Sequence, residues 1–180
     1  MKGCLERLTR TRALLGSAAA VAFFIVAATP ASASIQFDGQ WGSFSLLPTN
    51  GTFNTPSRAA TDGSGNVLVT DSGNSRVQKF NATGTYLSQF GSLGTGNGQF
   101  LALSALGIAI DTSGNSYVVD KLGSRVEKFN SAGTFVTAWG GSGTGNSQFA
   151  APSGIATDSS GHVYVADTGN NRIQEFDSSG

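Results

Sequence analysis

The sequence repeats itself at intervals of 47 to 49 residues, and this period limits what the chain can fold into. A ten-residue pattern begins with aspartate, has arginine at its sixth position and ends with phenylalanine. It occurs three times, at 71–80, 120–129 and 167–176. A fixed period of this length is typical of arrays in which each unit buries its apolar faces against its neighbours.

Each copy contains short apolar segments that are separated by glycine-rich turns. The first segment ends on aspartate, and the second is a nearly continuous apolar run. The third is the second half of the ten-residue pattern, and the fourth carries aromatic residues four positions apart. In the first copy the four segments are 58–62, 67–69, 76–80 and 86–90. The apolar second segment predicts a strand that is covered on both faces. Four strands in every period, with no helical interval, predict the blades of an all-β propeller.

These copies resemble the NHL repeat family. The resemblance lies in Val163-Tyr-Val-Ala-Asp-Thr-Gly-Asn-Asn-Arg-Ile-Gln-Glu-Phe176, in Asn115-Ser-Tyr-Val-Val-Asp120 and in the lead-in 145–156. It covers the chain from about Phe37 onward and implies NHL-type four-stranded blades in a propeller, commonly of six blades, that binds proteins or other ligands on one open face. The second copy departs from the pattern, because Lys121-Leu122 replaces Ser/Thr-Gly.

The sequence predicts one strand before the repeats, four strands in each of the first two copies and three in the third. A lone fourth strand, Phe37–Trp41, precedes repeat copies at about 43–91, 92–140 and 141–180, and the third copy holds only three strand segments. Propellers have about 4–8 blades, so three blades cannot close a ring. Either the chain is part of a longer propeller, or two copies join head to tail into a six-bladed ring.

The first 33 residues have the three parts of a secretory signal peptide. Basic residues precede an apolar run at 13–28, and an Ala-Ser-Ala exit follows it at 31–33. A transmembrane anchor is the alternative, but a spanning helix needs about 20 apolar residues. We therefore expect a signal peptide at 1–33, a repeat segment at 34–180, a secreted, extracellular or periplasmic location, and no membrane contact after cleavage.

The charge balance makes nucleic acid a poor partner. The whole chain has 11 basic and 11 acidic residues. Four of the basic residues and one of the acidic residues lie in 1–33, which leaves a remainder with a net charge of about −3. Binding to phosphate backbones depends on Lys and Arg, so we expect no nucleic-acid partner.

The Asp and Arg residues of the repeated pattern are predicted to be structural, because a catalytic site would ordinarily break the symmetry of a repeat. Asp can accept the amides of a turn, and an Arg fork can pair with a carboxylate. We expect these roles for Asp71, Arg76, Asp120, Arg125, Asp167 and Arg172.

Candidate catalytic and metal-binding residues are few. The one histidine, His162, occupies a turn position that asparagine fills in the other copies. The related streptogramin lyases and peptide-amidating lyases use several histidines with a divalent metal, as the resemblance implies. We therefore predict no catalytic residues, no metal and no cofactor.

The sequence thus predicts a secreted, non-enzymatic NHL-repeat propeller that binds a protein or a surface glycan. Departures from repeat symmetry mark the candidate ligand contacts, which are Leu46, Leu47, Lys121 and Leu122. One alternative is a fragment of a propeller lyase, with a divalent metal. Another is the extracellular sensor portion of a larger envelope protein.

Overall fold

The computed structural model describes residues 39–45, 49–101, 104 and 106–180, and the predicted leader 1–33 lies outside this part. Regular structure in the described part consists of β-strands and two 3-10 helices, Ser72–Asn74 and Thr168–Asn170. The strands are β1 (Ser43–Phe44), β2 (Thr52–Phe53), β3 (Pro56–Thr61), β4 (Val67–Asp71), β5 (Arg76–Phe80), β6 (Tyr86–Phe90), β7 (Ser92–Leu93), β8 (Gln99–Phe100), β9 (Leu106–Ile110), β10 (Ser116–Asp120), β11 (Arg125–Phe129), β12 (Phe135–Gly140), β13 (Gly154–Thr157), β14 (Val163–Asp167) and β15 (Arg172–Phe176).

Three antiparallel sheets form three successive blades. Blade 1 is β3-β4-β5-β6, blade 2 is β9-β10-β11-β12, and blade 3 is β13-β14-β15. These strands lie close to the predicted segments, four in each of the first two copies and three in the third, and the all-β propeller architecture is confirmed. In every blade the second and third strands place aspartate directly opposite arginine, at Asp71 and Arg76, Asp120 and Arg125, and Asp167 and Arg172.

The blades stack through apolar clusters on their faces, and their first strands are neighbours, with β9 in contact with both β3 and β13. Between blades 1 and 2 the buried cluster is Leu68, Val77, Phe100, Ile108, Val118 and Phe129. Between blades 2 and 3 it is Tyr117, Val119, Val126, Phe149, Val163, Val165 and Phe176. Since successive side chains of a strand point to opposite faces, Val118 packs toward blade 1 and Val119 toward blade 3. This explains why the second strand of a copy is apolar at consecutive positions.

The third blade differs from the other two at its outer edge. Within the described part of the chain, β15 pairs with β14 and with no other strand. The predicted lone strand Phe37–Trp41 needs a correction, because Gly39–Trp41 forms no strand and Phe37 lies outside the described residues. A strand is defined by backbone pairing, and no described strand pairs with this segment.

The meander gives the blades two unlike ends. The turns that join the first to the second strand and the third to the fourth lie at one end, which we call the turn face. The turns that join the second to the third strand lie at the other end, together with the links from one blade to the next; we call this the connection face. Among the described residues, no helix is long and apolar enough to cross a membrane.

Candidate functional site

The connection face is organised around the aspartate that ends the second strand of each blade. In blade 1 the buried carboxylate of Asp71 accepts hydrogen bonds from the backbone N–H of Asn54 at 2.7 Å, Nε of Arg76 at 2.8 Å, Nδ2 of Asn74 at 2.9 Å and Nε2 of Gln78 at 3.1 Å. One fully buried carboxylate thus ties the blade link, the turn and two strands together. Because it already accepts four hydrogen bonds, it is poorly placed to act on a ligand.

Blade 3 repeats this arrangement nearly atom for atom. Asp167 accepts hydrogen bonds from the N–H of Ala150 at 2.7 Å, Nε of Arg172 at 2.8 Å, Nδ2 of Asn170 at 2.8 Å and Nε2 of Gln174 at 3.0 Å. Burial alone would raise the pKa of Asp167, but the hydrogen bonds from Asn170, Ala150 and Arg172 lower it. The same residue types at the same spacing therefore build the same local network.

The arginine of each network also holds the preceding link through its carbonyl groups. Arg76 donates from Nη2 to the carbonyls of Thr49 and Thr52, both at 2.9 Å. Arg172 donates to the carbonyls of Gly145 and Gln148. The links on the connection face are therefore fixed by buried charge as well as by chain geometry.

Blade 2 has a different network, because its turn lacks the asparagine. Asp120 instead accepts hydrogen bonds from Oγ of Ser104 at 2.7 Å, the N–H of Gly123 at 3.0 Å and the N–H of Leu101 at 3.2 Å. Nε of Arg125 lies 4.0 Å from the carboxylate. This buried nitrogen has no hydrogen-bond partner in the described part of the chain.

Glu127 accounts for the displaced arginine. It stands where blades 1 and 3 have Gln78 and Gln174, and its side chain is fully buried. Oε2 accepts the N–H of Gly98 at 2.7 Å, as the glutamine oxygens do from Gly51 and Ser147. Oε1 lies 2.6 Å from Nη2 of Arg125. This is a close ion pair without the alignment of a hydrogen bond, since Oε1 has no partner that meets hydrogen-bond geometry among the described residues.

Burial raises the pKa of Glu127 to about 7, and the nearby charge of Asp120 acts in the same direction. The charge of Arg125 and the hydrogen bond from Gly98 oppose this rise. An amide at this position donates to the adjacent aspartate, whereas a carboxylate can do so only when protonated. The change from Gln to Glu is visible when the three ten-residue copies are aligned, but its effect on Arg125 is not.

Three large apolar side chains are exposed on the connection face. Phe44 and Leu93 lie at equivalent positions in the first two blade links and are 50% and 62% exposed. Leu122, at the altered turn of blade 2, is 58% exposed, and its N–H is held by Oγ of Ser104 at 3.1 Å. All three lie on the connection face, and sequence reasoning singled out only Leu122 among them. Lys121 precedes it in the same turn, whereas Leu46 and Leu47 lie outside the described residues.

The turn face is polar and its carboxylates are used in turns. Asp62, Asp111 and Asp158 each accept the N–H groups of the residues two and four positions later. His162 pairs through Nδ1 with Oδ2 of Asp158 at 2.8 Å, and this contact raises the pKa of His162. In the part of the chain that the structure covers, no three His, Cys, Asp or Glu residues are grouped so as to hold a metal ion.

A comparison with protein-family models identifies the repeat type of two of the three blades. The NHL repeat model matches residues 53–80 and 149–176, the copies in blades 1 and 3. The chain carries NHL repeats. Blade 2, in which the turn and the Glu127 network depart from the other two, is not among the matched segments.

Solved structures confirm the propeller fold of this NHL-repeat chain. A streptogramin B lyase matches with a TM-score of 0.52 at 15% identity over 75% of this chain and 43% of its own length. A catalytically inactive virginiamycin B lyase from Staphylococcus aureus, solved with quinupristin, matches with a TM-score of 0.51 at 20% identity over 73% of this chain and 43% of its own. A nidogen/laminin complex matches with a TM-score of 0.51 at 22% identity over 69% and 44%.

The NHL-repeat chain therefore spans less than half the length of these solved proteins. No curated protein sequence matches it significantly. At these identities the likeness establishes the fold and nothing finer.

Proposed function

We propose that this chain is an exported, non-enzymatic binding scaffold that takes up a partner on its connection face. The observation that carries the proposal is that Phe44, Leu93 and Leu122 are all exposed and all lie on that face. Exposed apolar side chains that are rimmed by polar groups mark protein interaction sites. The buried aspartate networks hold the links and turns that present these side chains, so little ordering entropy would be lost on binding.

A protein is the favoured partner, and a surface glycan is the alternative outcome of the test. Exposed phenylalanine and leucine side chains suit a desolvated protein contact. Carbonyl groups of the links are already engaged by Arg76, Arg125 and Arg172. Fewer backbone acceptors are therefore left for the hydroxyl groups of a sugar.

A peptide-display library and a glycan array, both probed with the purified chain, test this proposal. Any ligand that binds is then measured against Leu93→Lys and Leu122→Lys, for which we expect at least a tenfold loss of affinity. Leu87→Lys is the matched control, because Leu87 is exposed to a similar degree but lies on the outer strand of blade 1. Equal binding by all three variants would contradict the use of the connection face.

A lyase is the second candidate, and the likeness to two streptogramin-type lyases favours it. It is tested by incubating the chain with quinupristin and Mg²⁺ and analysing the products by mass spectrometry. Metal analysis of the purified protein is the companion measurement. Cleavage of quinupristin together with a stoichiometric divalent ion would replace the scaffold proposal, whereas an unchanged compound is the expected result.

A further inference from the structure

We propose that the outer edge of blade 3 binds a second copy of this chain, whose segment Gly39–Gly42 supplies the outer strand of that blade. The surface comprises the free edge of β15 and the face of blade 3 that points away from blade 2. A second copy fits this surface because the chain already repeats the same packing between its own blades.

The side chain of Trp41 already occupies the position of an outer-strand aromatic. The ring centroids of Trp41 and Phe80 are 4.5 Å apart. The outer-strand residue Phe90 stands 4.6 Å from Phe129 in the next blade, and Trp139 of β12 stands 5.8 Å from Phe176. In each case an aromatic residue that comes just before a glycine covers the phenylalanine that ends the third strand of the following blade.

Close approach to a turn glycine supports the same equivalence. A Cβ atom added to Gly84 would lie within 3.0 Å of Trp41, one added to Gly133 would lie within 3.0 Å of Phe90, and one added to Gly180 would lie within 3.0 Å of Trp139. All three glycines have positive φ values, between 81° and 105°. The three aromatics therefore dock on the same turn of three successive blades.

The residues after Trp41 also follow the path of a blade link. β1 pairs in parallel with β2, as β7 pairs with β8 after blade 1. Gly42 approaches Phe53 as closely as Gly91 approaches Phe100. Gly39–Gly42 is thus held over blade 1 as the end of an outer strand, while no inner strands of its own blade are present among the described residues.

Blade 3 lacks the outer strand that such a segment would supply. β5 pairs with β6 and β11 pairs with β12, but β15 has no outer neighbour among the described strands. Ile173 is 66% exposed, whereas Val77 and Val126, at the same position in the other blades, are fully buried by the next blade and the outer strand. The exposed face is therefore a continuation of the interface that already joins blade 1 to blade 2 and blade 2 to blade 3.

The register of the intermolecular strand follows from the existing pairs. Val126 lies opposite Trp139, and Lys128 lies opposite Thr137. The equivalent alignment places Ile173 opposite Trp41 of the second copy and Glu175 opposite Gly39. Blade 1 of the second copy then covers Ile173, and main-chain hydrogen bonds close the edge of β15.

If each copy makes this contact with the other, the two contacts close a ring. A head-to-tail interface gives a ring when the rotation closes and an open filament when it does not. Two copies of three blades give six blades, which lies within the usual range of about 4–8. We infer a dimer with two identical junctions and no free strand edge.

Light scattering of the purified chain tests this assembly. The expected mass is that of two copies, and Ile173→Lys should convert it to one copy with an unchanged strand signal in circular dichroism. Val136→Lys is the matched control, since Val136 is 50% exposed on the outer strand of blade 2 and should leave the dimer intact. A wild-type mass of one copy at micromolar concentration, or of an open series of larger species, overturns the proposal.

A cysteine cross-link tests the register even if Ile173→Lys unfolds. Gly39→Cys and Glu175→Cys are introduced together in a Cys4→Ser background, which leaves no other cysteine in the sequence. On oxidation we expect covalent dimers to form from nearly the whole sample. The control pair Gly39→Cys and Ser131→Cys has its second cysteine in an exposed turn of blade 2 and should stay monomeric on denaturing gels. Equal cross-linking of the two pairs, or none with the first pair, overturns the inferred register.

Discussion

The carboxylate of Glu127 lies 2.6 Å from Nη2 of Arg125, and this ion pair replaces the contact that arginine makes with aspartate in the other two blades. In blades 1 and 3 the arginine Nε donates to the aspartate at 2.8 Å. The corresponding distance in blade 2 is 4.0 Å. One extra buried carboxylate has therefore turned an arginine away from its repeat partner.

Glu127→Gln should remove a pH dependence of stability. Burial raises the pKa of Glu127 from 4.5 to about 7. The folded state therefore holds a proton that the unfolded state loses above pH 4.5, and the stability that this proton contributes falls as the pH rises through about 7. At 1.36 kcal/mol per pH unit, the variant should gain about 3 kcal/mol relative to wild type between pH 4.5 and pH 8. Urea unfolding at several pH values measures the difference.

Gln78→Glu is the control for this effect. It places a carboxyl beside Asp71 in blade 1, in the position that Glu127 has beside Asp120. We expect the variant to lose stability as the pH rises across the same range. If neither substitution changes the slope of unfolding free energy against pH, the assigned titration of Glu127 is wrong.

Asp71→Ala should destabilise the fold by about 3–5 kcal/mol, because it leaves the buried guanidinium of Arg76 without its carboxylate. Asp120→Ala should cost less, since Arg125 keeps its ion pair with Glu127. Denaturant unfolding of both variants at pH 8 compares them. The control is Asp177→Ala, an exposed turn aspartate, for which we expect a change of about 1 kcal/mol or less. Equal losses for Asp71→Ala and Asp120→Ala would mean that Glu127 does not compensate.

His162 should titrate above its usual pKa of 6.5, because Asp158 accepts a hydrogen bond from its ring. It is the one histidine in the sequence, so a proton NMR titration follows a single imidazole signal. Asp158→Asn should lower the midpoint. An unchanged midpoint in that variant would show that the pair is not formed in solution.

Comparing the stability losses of Gly84→Ala and Gly65→Ala separates the cost of overpacking from the cost of backbone strain. Both glycines have positive φ, 81° and 78°, but an added Cβ meets Trp41 at Gly84 and nothing within 4 Å at Gly65. The strain of a left-handed residue, about 1 kcal/mol, is common to both. Gly84→Ala should cost a further 1–3 kcal/mol from overpacking and should shift tryptophan fluorescence. Equal losses in thermal unfolding would contradict the docking of Trp41 on this turn.

The strands could be predicted from the sequence because every boundary carries its own local signal. The turn at Asp62, for example, is set by Asp, Gly and Asn within four residues, and such short-range hydrogen bonding needs no tertiary context. The four-strand period then specified the propeller. The sequence predicts a strand at Phe37–Trp41 because it matches the other outer strands. Its described part, Gly39–Trp41, forms no strand, since pairing depends on a partner that lies elsewhere in space.

The site was less predictable, for a physical reason. Which apolar residues remain exposed depends on what the neighbouring blade covers. Ile173 and Val77 are both β-branched residues at equivalent positions, yet Ile173 is exposed and Val77 is buried by the neighbouring blade. Likewise, the sequence shows only that Glu127 replaces a glutamine of the other copies. The structure is needed to show that its side chain is buried beside Arg125 and Asp120.

The aspartate networks have a consequence for how such chains change in length during evolution. All side chains and amides that Asp71 engages lie between Asn54 and Gln78, and those of Asp167 lie between Ala150 and Gln174. Each of these two carboxylates thus finds its partners within its own period. The polar contacts between blades 2 and 3 include hydrogen bonds from Thr157 and Lys128 to carbonyl groups of the other blade. Insertion or deletion of one whole period would leave the partners of these buried carboxylates in place. A gene encoding this chain can therefore gain or lose a blade in a single recombination event without creating an unpaired ion.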